Sequence, residues 1–117
     1  MRNEIKPNGA QPFIALELAL EIIRSLRPVV ARIRKESRKV ADQIVEAASS
    51  VAANLAEGNG RRGGDRGYHF RVAEGSNLET RSHLRVALAW GWIEDADVEA
   101  SMALIDREAA VLWRLTH

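Results

Sequence analysis

Apolar residues recur along this chain at the spacing of one helix face, in four successive stretches. Phe13, Leu16, Leu20, Ile23 and Leu26 step by three and four. Val40, Ile44, Ala47, Val51 and Leu55 do the same, widened by Ala41, Ala48 and Ala52. Phe70, Ala73, Asn77, Thr80, Leu84 and Ala87 keep the step with two polar members, and Val98, Met102, Ile105, Ala109 and Leu112 make the fourth stripe. A period near 3.6 without strict alternation predicts amphipathic helices and no strand. The helices are expected at about 12–27, 37–57, 67–90 and 96–115, after a flexible arm over 1–10. Short connections make consecutive helices antiparallel neighbours. The predicted fold is therefore all-α: one domain over 1–117, an up-down-up-down four-helix bundle.

The turn-forming residues refine those boundaries. Pro12 suits a first helical turn, where its missing N–H is not needed. Pro28 is expected to end or kink the first helix, because its ring clashes with the carbonyl of Arg24. Gly58 suits a left-handed C-terminal cap on the second helix. Residues 59–67, with Gly60, Gly63, Gly64 and Gly67, are expected to form a mobile loop. Gly91 stops the third helix, and Asp95 is the expected N-cap of the fourth. Trp90, Trp92 and Trp113 are expected to cluster over one end of the bundle.

Two small-and-polar stretches interrupt the apolar pattern: Asn54-Leu55-Ala56-Glu57-Gly58 and Ala73-Glu74-Gly75-Ser76-Asn77-Leu78-Glu79. A carboxylate buried there costs several kcal/mol, on the order of the penalty for an unpaired buried ion, unless a partner satisfies it. Asn54, Ser76 or a nearby Arg would serve Glu57 and Glu79. Gly75, in mid-helix, costs about 1 kcal/mol relative to Ala. It makes sense where another backbone crosses closely. Asn54, Glu57, Gly58, Gly75, Ser76 and Glu79 are thus expected to join the second and third helices or to set an assembly.

These motifs carry a family resemblance. Gln43, Ala47-Ala48-x-Ser50, Asn54-x-Ala56-Glu57-Gly58, Gly60-Arg61-Arg62, Ala73-x-Gly75-Ser76-x-x-Glu79, Leu84 and Gly91-Trp92-Ile93 resemble the four-helix bundle family of proteins encoded in 23S rRNA intervening sequences. That family also takes in the accessory proteins of diversity-generating retroelements. The resemblance covers about 40–93 well and the first helix poorly. It implies a small cytosolic bacterial protein assembled as a homo-pentameric ring, without catalysis. It also implies, from the retroelement members, nucleic-acid and reverse-transcriptase partners held through a basic ring surface. The chain departs from the pattern at Val45-Glu46, where the family has a basic pair, and at Asn77 and Thr80, where it has Leu-type residues. Its glycine loop is one residue shorter, and the aromatic-rich start of the first helix is missing.

Charge adds a candidate interface. Among 117 residues, 17 Lys and Arg face 16 Asp and Glu, for a net charge of +1. That balance argues against a generic nucleic-acid sponge, but its distribution is uneven. Residues 24–39 hold Arg24, Arg27, Arg32, Arg34, Lys35, Arg38 and Lys39 against Glu36, whereas 94–108 are acidic. Arg61, Arg62 and Arg66 lie in the glycine segment; Arg71, Arg81 and Arg85 share one face of the third helix. Glycines and arginines together can follow a phosphate backbone, RNA or DNA. The alternative is a solvated face whose arginines pair with carboxylates between subunits, in a structural oligomer that acts through protein contacts.

Catalysis and cofactors find no support in the pattern. Glu79 and His83 are four apart and nothing matches them on a second helix, whereas a di-iron bundle needs Glu-x-x-His pairs on two. No Cys is present, so neither disulfide nor thiolate metal site is possible. There is no Ser-His-Asp order, and no Lys-Ser/Thr follows the glycines as a P-loop requires. No run of about 18 apolar residues occurs. No metal, cofactor, small-molecule substrate or membrane is expected, and the default location is cytoplasmic.

Overall fold

The computed structural model of the protein describes residues 13–117. The arm over 1–10 and the Pro12 start lie outside the described residues. Four helices follow in order: α1 (Ile14–Arg34), α2 (Arg38–Asn59), α3 (Gly63–Trp90) and α4 (Asp95–Thr116), and no strand occurs among the described residues. Each helix packs on its two neighbours around a square, α1 on α2 and α4, and α3 on α2 and α4. This is the up-down-up-down bundle. The smallest extent, 20 Å, is two helix diameters.

Several boundaries differ from expectation, each for a local reason. Pro28 lies inside α1, which runs six residues beyond it. Pro28 and Arg24 both face solvent, so the carbonyl that loses its N–H partner is open to water. Gly58 lies within α2 and is buried, and the chain leaves that helix at Gly60 with φ −91°. A Cβ on Gly58 would come 2.6 Å from the Phe70 ring, so this glycine admits an aromatic ring rather than turning the chain. The expected loop over 59–67 shrinks to Gly60–Arg62, because α3 already starts at Gly63, with Asp65 in its first turn near the positive helix end.

The remaining ends are held by side chains or by a left-handed residue. Ser37 accepts from the Val40 N–H at 3.1 Å. Gly91, φ 77°, ends α3, and the Trp92 N–H returns to the Ala87 carbonyl at 3.1 Å. The N-cap of α4 is Glu94 rather than Asp95: its carbonyl accepts from the Asp97 N–H at 2.9 Å while its own N–H donates to Asp97 Oδ2 at 2.8 Å.

The core forms two apolar clusters. One, toward the α1–α2 and α3–α4 turns, includes Leu26, Ile33, Ile44, Leu84, Ile93 and Ile105. The other, toward the opposite end, includes Val51, Leu55, Phe70, Ala73 and Leu112. Asn77, Thr80 and Glu108, all buried, fall between the two in helical order. The α2 and α3 stripes match expectation. In α1 the buried face is offset to Ala15, Leu18, Ala19, Ile22, Leu26, Val29 and Ile33. The tryptophans do not form one cluster. Trp90 and Trp92 stack beside the α3–α4 turn, while Trp113 stacks on His117 at the far end of α4.

Candidate functional site

The first polar motif builds a seam between α2 and α3. Asn54 Nδ2 donates to the Ser50 carbonyl at 2.9 Å and approaches Ser50 Oγ at 3.2 Å. Its amide oxygen therefore faces His69 Nδ1 at 2.9 Å, which makes Nδ1 the protonated ring nitrogen in this network. Ser76 Oγ donates to Ser50 Oγ at 2.9 Å. Asn54, Gly58 and Ser76 thus lie at the α2–α3 junction. Ser50 and His69 complete it, and the small residue Ser50 within an alanine run was the signal for it.

The other three motif residues face outward. Glu57 is exposed and accepts from Arg61 at 2.9 Å; it is not part of a buried network. Glu79 is exposed, with Oε2 3.5 Å from His83 Nε2, an ion-pair distance that falls short of hydrogen-bond geometry. Gly75 is exposed, and nothing lies within 4 Å of where its Cβ would stand. The close crossing expected there does not occur within the protomer.

The six candidate arginines divide into two groups, one around the α2–α3 connection and the first turns of α3, the other farther along α3. Arg61 lies between Glu57 and Asp65, 3.0 Å from the latter. Its hydrogen bond to Glu57, then the charges of Glu57 and Asp65, push its pKa further up. Arg66 lies over the Phe70 ring, 5.0 Å from the centroid, and the Arg71 guanidinium lies against Gly67. Arg62 is the exposed N-cap of α3. Farther along, Arg81 pairs with Asp106 at 3.5 Å, and Arg85 lines a cleft with Asp95, Glu99 and Asp106. Arg71 and Arg85 are about 21 Å apart along the axis, at about 1.5 Å per residue. Among the described residues, Arg62, Arg71 and Arg85 have no carboxylate within ion-pair distance.

A buried acid escaped the sequence reading. Glu108 is 0% exposed, and neither carboxylate oxygen has a hydrogen-bond partner among the described residues. Burial pushes its pKa up to about 8, so it is mainly the neutral acid at pH 7. It lies three residues after Ile105 and four before Leu112, a spacing that marks the buried face. Among the described residues no hydrogen-bond or ion-pair partner engages it, so the arrangement there shows no acid–base partnership. Among the described residues no three His, Cys, Asp or Glu side chains converge to hold a metal ion. No described helix is long and apolar enough to cross a membrane.

Charge also separates at one end. The α1–α2 turn carries Arg32, Arg34, Lys35, Arg38 and Lys39, of which Arg34 pairs with Asp42. The α3–α4 turn at the same end carries Glu94, Asp95, Asp97 and Glu99. The antiparallel order of the helices brings these opposite corners together.

Comparison with known proteins agrees with this architecture. The profile of the family described as 23S rRNA-intervening sequence protein matches residues 14–114. A crystal structure of a protein with unknown function from the S23 ribosomal protein family, from Bacteroides thetaiotaomicron, superposes with a TM-score of 0.77 at 17% sequence identity. The match covers 87% of this chain and 97% of that one. At that identity the likeness speaks for the fold. No curated protein matches the chain.

Proposed function

The chain belongs to the family of 23S rRNA-intervening sequence proteins, and from that premise we propose that it is a non-catalytic binding protein whose bundles assemble into a ring, five-fold as the resemblance implies. The ring serves as a scaffold or accessory for nucleic acid and for an enzyme that acts on it, such as a reverse transcriptase. One observation carries the reading. The outer faces of α2 and α3 expose Ala53, Ala56, Gly75, Leu78 and Ser82, small or apolar residues where a solitary soluble helix would carry charge. Gly75 leaves room there for another backbone. Arg71 and Arg85 lie on the same helix, so each neighbour added to a ring repeats them, and phosphate contacts gain by repetition. A groove of about 230 Å³ between α1 and α2, lined by Ile23, Leu26, Val30, Ile44 and Val45, supports subunit contact from a second side.

A second reading, a structural oligomer acting through protein contacts alone, is favoured by one fact: Arg61 and Arg81 already have carboxylate partners. Light scattering and salt-dependent binding separate the two. The expected result is a multi-subunit mass and binding to structured RNA or duplex DNA that weakens steeply as salt rises. A monomeric mass removes the ring. Absence of binding at low salt, or affinity indifferent to salt, removes the nucleic-acid role and leaves the second reading.

A further inference from the structure

Trp90 is the last residue of α3 and is 69% exposed, an unusual position for the largest side chain. The left-handed turn at Gly91 brings Trp92 alongside, with ring centroids 6.0 Å apart and planes 13° from parallel. Trp92 in turn lines a cleft of about 670 Å³ with Arg32 and Lys35 of the α1 end and with Glu36. Among the described residues neither Arg32 nor Lys35 has a carboxylate within ion-pair distance. Trp92 and two cations without a carboxylate partner among the described residues therefore meet in one concave site, and the exposed Trp90 stacks beside Trp92 at its rim.

That combination fits a ligand with both a planar apolar face and a phosphate. We propose that an unpaired stretch of single-stranded nucleic acid runs across the rim of the cleft: one base stacks on the exposed Trp90, and the adjoining phosphate is held in the cleft by Arg32 and Lys35. Stacking of bases on exposed aromatics beside a cationic groove is how sequence-tolerant single-strand recognition works. A duplex buries its base faces and offers nothing to Trp90. An anionic bilayer fits less well, because the cleft is concave. The proposal rests on the nucleic-acid reading for its ligand class, but on residues separate from the α3 arginines.

The test is a tryptophan-fluorescence titration of the full chain with a short oligoadenylate, alone and annealed to its complement, with anionic vesicles as a third arm. Single strand is expected to quench the fluorescence and to bind tighter than the duplex. Trp90→Gln should weaken it about tenfold or more. Arg32→Ala with Lys35→Ala should lower the salt slope by about 0.7, the value for one phosphate on a single strand. Trp113→Gln, at the opposite end, should leave affinity unchanged. Single-strand binding that is indifferent to Trp90→Gln overturns the proposal, as does a response to vesicles with none to oligoadenylate. If duplex binds with a steep salt dependence while single strand leaves the fluorescence unmoved, this site falls and the α3 surface stands. If nothing is bound at low salt, both fall.

Discussion

Asn77 on α3 donates its side-chain amide to the backbone carbonyl of Ile105 on α4, across 3.1 Å and at a position 1% exposed. Most apolar contacts in a bundle tolerate a small slide of one helix along another. A directed hydrogen bond to one named carbonyl does not. The polar layer between the two apolar clusters therefore sets the register of α3 against α4.

Removing that amide should be felt directly. Asn77→Ala loses a buried hydrogen bond and leaves a void, for about 1–3 kcal/mol of destabilisation. Asn77→Leu should lose less, because it fills the volume with apolar atoms. Urea unfolding monitored by circular dichroism measures both. An Ala variant as stable as the parent would show that the bond contributes nothing to the fold.

Glu108 makes stability depend on pH. Its folded pKa, about 8, lies above the ordinary carboxylate value of 4.5, so the folded state holds the proton longer than the unfolded chain. The stability linked to that proton is complete below about pH 4.5 and is lost as pH rises through about 8. In mid-window the slope is about 1.4 kcal/mol per pH unit. Glu108→Gln should be more stable than the parent at pH 8 and should flatten the curve across that window. Parallel curves for the two proteins would refute this assignment.

Gly58 and Gly75 should respond in opposite directions. At Gly58 a Cβ meets the Phe70 ring at 2.6 and 2.8 Å, and Phe70 is itself buried and cannot retreat. Gly58→Ala should therefore cost about 1–3 kcal/mol, outweighing the helix-propensity gain of about 1 kcal/mol. At Gly75 the same change meets open space, so in the isolated protomer it should stabilise by about 0.5–1 kcal/mol. Thermal melts of both variants decide. A drop in solution mass on Gly75→Ala would place a neighbouring subunit's backbone against that glycine.

The arginines divide into engaged and available sets. Arg71→Ala with Arg85→Ala should weaken polyanion binding more than Arg61→Ala with Arg81→Ala, because the second pair already faces carboxylates. The exposed Arg81–Asp106 pair should contribute under about 1 kcal/mol to stability. Anisotropy titrations at low salt distinguish the sets; equal losses would mean that the intraprotomer pairs open on binding.

Much of this was legible in the chain. The α3 stripe placed Asn77 and Thr80 inside even though they are polar, and both are buried. Glu108 was hidden because Ala109 fits the same stripe, and polarity favoured the alanine. In α1 two stripes compete, Leu16-Leu20-Ile23 and Leu18-Ile22-Leu26, and packing against α2 and α4 chose between them. Pro28 does not end α1, because a proline's effect depends on where the freed carbonyl points, which needs the third dimension. The site residues were named but not their orientation: Asn54 and Ser76 turn toward the seam, whereas Glu57 and Glu79 turn away.

The opposed corners at one end of the bundle have a consequence for approach. A net charge of +1 suggests a particle almost indifferent to a polyanion. With Arg32, Lys35, Arg38 and Lys39 at one turn and Glu94, Asp95, Asp97 and Glu99 at the next, the molecule instead carries a transverse dipole moment. Within a Debye length of about 8–10 Å, a charged strand exerts a torque on it. A polyanion approaching the protein would therefore turn it basic corner forward before contact.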